Sequence, residues 1–196
     1  ERQSKGDPST SILVSNVDSV NWLLNVRGDA LAHTPLFHAM LLVHSATDIL
    51  VISEDKPEID FKIKGLKIEH KQFKEMSEIA KMLADRKIQI DKLSCPRALL
   101  DCFSEQNSAI EFKPDSTLLV KAQKNEAELK GMKDAQIKDA IAFCQFWHWF
   151  EKTINNQSIT ECEVANYLSE FRAQQPEYIC DSFPAIVGFN DNGAIV

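Results

Sequence analysis

The sequence predicts an α/β (α+β) fold: a mixed sheet flanked by helices, followed by a segment dominated by two helices. Three observations predict it. Short β-rich apolar runs alternate with amphipathic helical stretches between Ser11 and Phe112. Beyond Pro114 that alternation gives way to one long helical period. The composition, 44% hydrophobic and 26% charged, is that of an ordinary globular chain able to build a core.

Each element has its own signal. SILVS (11–15) is a short apolar strand. VDSVNWLLNVRG follows as a short helix, with Asp18 as its cap, Val20, Leu23 and Leu24 at helical spacing, and Gly28 as its stop. FHAMLLVHS and DILVISE are two β-rich runs around Ala46-Thr47, an antiparallel hairpin. Ala-Thr makes a poor two-residue turn, so the loop is expected to take in Ser45 or Asp48. IKGLKIEHKQF (63–73) contains a further strand. EMSEIAKMLADR (75–86) is an amphipathic helix with Met76, Ile79, Ala80, Met82 and Leu83 on one side. KIQID alternates as a strand, and Pro96 opens the helix CPRALLDCFSEQ.

After Pro114, TLLVKA reads as a strand or connector. A long helix spans about 125 to 154. Asn125 and Glu128 stand at capping-box spacing, and Leu129, Met132, Ile137, Ala140, Ile141, Cys144, Trp147 and Ile154 form its apolar stripe. Thr160 and Glu163 repeat the spacing before a helix over 161–175, where Val164, Tyr167, Leu168 and Phe171 face inward. SFPAIVGF returns to strand, and Gly193-Ala194-Ile195-Val196 reads as the opening of a buried strand. The first ten residues are polar and expected to be disordered. The chain opens without Met and closes on apolar residues, so both ends are expected to be cut.

Bulk chemistry narrows the function. A net charge of −7 with interspersed signs argues against a nucleic-acid partner. No apolar run approaches the roughly 18 residues of a membrane span. Five cysteines without CxxC spacing read as reduced, buried thiols. His33, His38 and His44 lack metal-site spacing and a neighbouring carboxylate, although His38 and His44 would share a strand face. The aromatic run FWHWF (146–150) reads as packing, with Phe146, Trp147 and Phe150 wrapping a helix packed on two sides and His148 on its surface. Arg27-Gly28-Asp29 and the sequon at Asn156 read as chance matches. GxSxG, P-loop, GxGxxG and HExxH patterns do not occur. Motif chemistry alone therefore gives an α/β chain without a complete catalytic site.

Three longer stretches, in order, carry a resemblance. VDSVNWLLNVRGDALAHTPLF matches a W-L-x-N-x-R-G pattern running on to P-x-F. VKAQKNEAELKGMKDAQIKDAIAFCQFWHWFE matches K-x-x-K-N-x-x-E-x-x-G-M. SITECEVANYLSEFRAQQPEYICDSFPAIVGFNDNGAIV matches T-E through L-x-x-F-R, S-F-x-x-I and N-G-A-I. Together they resemble the Xaa-Pro aminopeptidases, the aminopeptidase P branch of the creatinase/methionine-aminopeptidase-like M24 metallopeptidases, from about Ser11 to Val196.

The resemblance implies a creatinase N-terminal-like α/β domain with a mixed sheet over residues 1–116, itself incomplete. It implies the first part of a pita-bread catalytic domain over 117–196. It implies a cytoplasmic parent enzyme that hydrolyses the bond before proline in N-terminal Xaa-Pro peptides, works as a homodimer and binds neither nucleic acid nor membrane. Two divalent ions, manganese, would sit on ligands after Val196, so this chain would hold no metal ligand and no catalytic residue and would be inactive alone. Arg27, His33, Asn192 and Gly193 match motif positions and are expected to shape loops at the substrate site. Two alternatives stay open: a non-catalytic pita-bread module that binds peptides or proteins, and a prolidase- or creatinase-type activity.

Overall fold

The computed structural model describes residues 10–54, 65–84, 86–106 and 108–194. The disorder expected for the first ten residues falls almost wholly outside them, as do Ile195 and Val196. Contacts divide the chain into two compact units: Glu1–Leu31 with Leu36–Gln123, and Ala32–Pro35 with Lys124–Val196.

The first unit is built on a six-stranded mixed sheet. The strands are β1 (Thr10–Val14), β2 (Ala39–Ser45), β3 (Asp48–Ser53), β4 (Lys67–Gln72), β5 (Lys87–Ile90) and β6 (Ala109–Phe112), in the order β4-β3-β2-β1-β5-β6. β2 is antiparallel to β1 and β3, whereas β1/β5, β3/β4 and β5/β6 are parallel. The hairpin forms as the sequence predicts, but its loop does not take in Ser45 or Asp48: those two pair directly, leaving Ala46-Thr47 as the turn. The irregularity falls at His44, inside the strand, where the register shifts between Val43 and Ser45. β6 carries no signal of its own in AIEF and pairs because β5 lies beside it.

Side chains alternate through the sheet and cover both faces. Leu13, Leu42, Leu50 and Ile52 join Ile79, Leu83, Leu99 and Phe103 in one core cluster. Val14, Leu41 and Val51 join Val20 and Leu24 in the other. Helices α2 (Met76–Met82) and α3 (Arg97–Glu105) cover the first face, and α1 (Val17–Leu24) covers the second. A single 3-10 turn, Phe73–Glu75, leads into α2. Met82 is exposed rather than inward, because the buried arc of this short helix ends at Ile79, Ala80 and Leu83.

Asn16, not Asp18, caps α1: its side chain accepts from the Asp18 and Ser19 amides at 3.0 and 3.4 Å. Asn25, in the left-handed region at φ 51°, ends the helix three residues before Gly28. TLLVKA is the helix α4 (Thr117–Ala122) and not a strand. The Asp115 carboxylate accepts the Thr117 amide at 2.8 Å, and α4 packs on α1, so the tertiary setting overrides a β-rich composition.

The second unit holds α5 (Glu126–Ile154) and α6 (Glu161–Ala173), both with the expected capping boxes. Ala142 and Phe146 are the buried residues of α5. Phe146 meets Phe171 edge-on at 6.3 Å, and Trp149 lies 4.0 Å from the Tyr167 ring. Trp147 stacks on Phe143 but both remain exposed, so FWHWF packs on one side only. Residues 182–189 do not form the expected strand, and Asn190–Ala194 is a 3-10 turn. A strand needs a hydrogen-bonding neighbour, and every described strand belongs to the first unit. Cys144, Cys162 and Cys180 are exposed free thiols rather than buried ones.

Candidate functional site

Three places in the described residues gather polar groups. The first is a shallow crevice at the carboxyl ends of β1 and β5, where open α/β sheets commonly bind ligands. Ser15, Asp91, Ser94 and Asp115 line it. Most of their polar atoms are already used; the buried Asp115 Oδ2 is the exception. Asp91 accepts the Leu93 amide at 2.9 Å and the Asp115 amide at 2.8 Å. Asp115 accepts the Thr117 amide and hydroxyl at 2.8 and 2.6 Å. The Ser15 and Ser94 hydroxyls bond each other at 2.9 Å. Burial pushes the Asp115 carboxyl up, but the neighbouring Ser19 hydroxyl, the bonds from Thr117 and the Lys121 charge hold it below its usual range. These groups fasten the loops after β5 and β6.

The second place is the foot of the 181–193 segment. Asp181 accepts the Ser169 hydroxyl and lies 3.7 Å from an Arg172 guanidinium nitrogen. Arg172 also donates to Asp139 on α5 at 2.8 Å. His33 donates from Nδ1 to the Asp181 carbonyl at 3.0 Å, and it holds a left-handed backbone, φ 61°, to do so.

The third place is the 188–193 loop. The Glu161 carboxylate, at the first residue of α6, accepts the Phe189 amide at 2.6 Å and the Asn192 side-chain amide at 3.0 and 3.1 Å. Those bonds, from Asn192 first and then Phe189, hold its carboxyl below the usual glutamate range. Gly188 and Gly193 close the loop: a Cβ on Gly188 would stand 2.8 Å from the Gly193 Cα.

Of the four residues singled out from sequence, Asn192 and Gly193 thus share one loop, and His33 joins the same unit through Asp181. Arg27 is exposed in the first unit, between Asn25 and Gly28. Glu161, Asp181, Ser169 and Asp139 were missed by sequence reasoning. The capping-box spacing pointed to Thr160 and Glu163 and passed over Glu161 between them.

Among the described residues there is no group of three or more His, Cys, Asp or Glu side chains that could bind an ion. His44 bonds the Ser11 hydroxyl at 3.4 Å, while His38 packs on the Phe73 ring at 5.4 Å. Burial pushes the Cys95 thiol up to about 11, which leaves it protonated and a poor nucleophile near neutrality. No described helix is long and apolar enough to cross a membrane.

The fold agrees with known families. Residues 2–128 match the creatinase/prolidase N-terminal domain. The chain belongs to that family. Residues 130–196 match metallopeptidase family M24. Xaa-Pro aminopeptidase 1 of Dictyostelium discoideum is 34% identical over 99% of the chain and 32% of that relative's length. Aminopeptidase P2 of Arabidopsis thaliana is 30% identical over 96% of the chain and 31% of its own length. The crystal structure of X-prolyl aminopeptidase from Caenorhabditis elegans, described as a cytosolic enzyme with a di-nuclear active site, superposes with a TM-score of 0.77 at 22% identity. That match takes in 93% of the chain and 33% of the worm protein. The chain therefore spans about a third of the length of the relatives it matches. The α/β fold class and the resemblance read from sequence both hold.

Proposed function

We propose that this chain is a portion of a metal-dependent aminopeptidase that removes the N-terminal residue from Xaa-Pro peptides. The observation that carries the reading is the succession of two matches, creatinase/prolidase N-terminal domain and then M24 peptidase, in one collinear chain. Relatives named as Xaa-Pro aminopeptidases match across almost all of it.

In this reading residues 1–116 form the α/β domain that precedes catalysis, and 117–196 open the peptidase domain. The two divalent ions, manganese, would bind to side chains beyond those described and would supply an activated water and a Lewis acid. The chain's own part is to carry the loops around the substrate. Asn192 and Gly193 shape one rim loop, held on α6. His33 joins that unit through Asp181, and Arg27 shapes the turn after α1. The enzyme works in the cytoplasm as a homodimer.

The test is release of the first residue from an Xaa-Pro peptide by the complete polypeptide, before and after chelation and after manganese is restored. Chelation should abolish release and manganese should restore it. The 196-residue chain alone should release nothing. Manganese-dependent release by that chain alone, or none by the complete polypeptide, would defeat the reading.

A further inference from the structure

We propose that Glu161 is a positioning residue whose carboxylate sets the shape of the Phe189–Gly193 loop and, through it, the substrate rim. The inference rests on the preceding reading in placing Asn192 and Gly193 at that rim; the clamp itself rests on geometry alone.

Glu161 is not needed to cap its helix. Thr160 and Glu163 already do that reciprocally: the Thr160 side chain accepts the Glu163 amide, and the Glu163 carboxylate accepts the Thr160 amide. Glu161 turns instead to a stretch 28 to 31 residues further along the chain. There it meets two donors of different origin, a backbone N–H and a side-chain amide. One carboxylate oxygen, Oε1, accepts both, and Oε2 adds a second bond to the Asn192 side chain. A carboxylate in the first turn of a helix is also favoured by the helix dipole, and its bonds are charge-assisted.

The loop is built to be held. The Asn192 amide donates to the Phe189 carbonyl at 3.2 Å, which closes it. Asn190 takes a left-handed backbone, φ 50°. The segment is fastened to α6 at its other end too, through Asp181, Ser169 and Arg172. Between the anchors, apolar side chains are largely exposed, Ile186 at 92%. Apolar burial contributes little there, so the polar anchors decide the loop's shape.

Two measurements test this. Amide hydrogen exchange in the 196-residue chain reads the clamp. Glu161→Ala should speed exchange at Phe189 and Asn192 about tenfold, as loss of a charge-assisted bond implies. Glu161→Gln keeps one acceptor and should fall between. Exchange in the middle of α5 and α6 should not change, which guards against general unfolding. Wild-type exchange rates at Phe189 in Glu161→Ala would overturn the clamp. In the complete polypeptide, Glu161→Ala should raise KM for an Xaa-Pro peptide about tenfold with kcat little changed, and Gln should restore part of the loss. Unchanged KM with an opened loop would overturn the rim assignment. A wild-type polypeptide that cleaves no Xaa-Pro peptide defeats the preceding reading, whereas unchanged exchange defeats the clamp alone.

Discussion

Asn21 makes three hydrogen bonds at 2.8 Å: its amide donates to the Val17 and Phe37 carbonyls, and its oxygen accepts the Phe37 amide. It is buried, so its loss would strand both backbone groups of Phe37. Asn21→Leu should therefore destabilise the first unit by about 2–4 kcal/mol, seen as a lowered urea midpoint. Gly28 meets the same stretch, since a Cβ there would lie 2.7 Å from the Phe37 Cα. Gly28→Ala should destabilise by about 1–3 kcal/mol through this crowding. Together they dock α1 and the turn after it, which carries the W-L-x-N-x-R-G string from Trp22 to Gly28, on the backbone at Phe37. The string was visible in the sequence, but its reason was not. Asn21 and Phe37 stand 16 residues apart, and only the folded chain brings them together. Glu161 stayed hidden for the same reason, its partners lying 28 and 31 positions away.

Elements whose signals are local were read well. The capping boxes at Asn125/Glu128 and Thr160/Glu163 need only residues three apart, and both form. Elements that depend on a neighbour were not: α4 owes its helix to Asp115 and α1, and β6 owes its strand to β5. None of the described strands pairs with the 182–189 stretch, which stays irregular. The α6 box yields a prediction at this scale. Thr160→Ala should cost about 1 kcal/mol of α6 stability, read from amide exchange in its first turns. The Thr160 amide, and then its hydroxyl, hold the Glu163 carboxyl below its ordinary value of 4.5. A lowered folded value means that the stabilisation is complete above the ordinary value and is lost as pH falls through the folded one. The first turn of α6 should therefore fray on acidification, and Glu163→Gln should weaken that dependence, leaving the part that Glu161 carries. Carbon chemical shifts of residues 160–164, followed down a pH titration, check both.

At the scale of the molecule, the two units treat apolar surface differently. The sheet unit hides it on both faces, and its edge strand β4 carries Lys67, Glu69 and Lys71, charges that discourage edge-to-edge pairing. Phe103, fully buried, ties α3 to that core, and Phe103→Ala should cost about 3–5 kcal/mol in chemical unfolding. The helical unit leaves its apolar stripe open: Leu129, Met132, Ile137, Ile141, Phe143 and Trp147 are between 45% and 61% exposed. The α6 rings engage Phe146 and Trp149 instead. Contiguous apolar surface of this kind drives association in water. The isolated chain should bind an apolar dye and sediment as concentration-dependent oligomers. Ile137 and Ile141 lie one helical turn apart, so Ile137→Glu with Ile141→Glu puts two charges at the middle of the stripe. That double variant should lower both dye binding and association while leaving helix content unchanged, since Glu is a good helix former and neither side chain is buried. A chain that stays monomeric at every concentration and binds no dye would show that the stripe is covered within the chain itself.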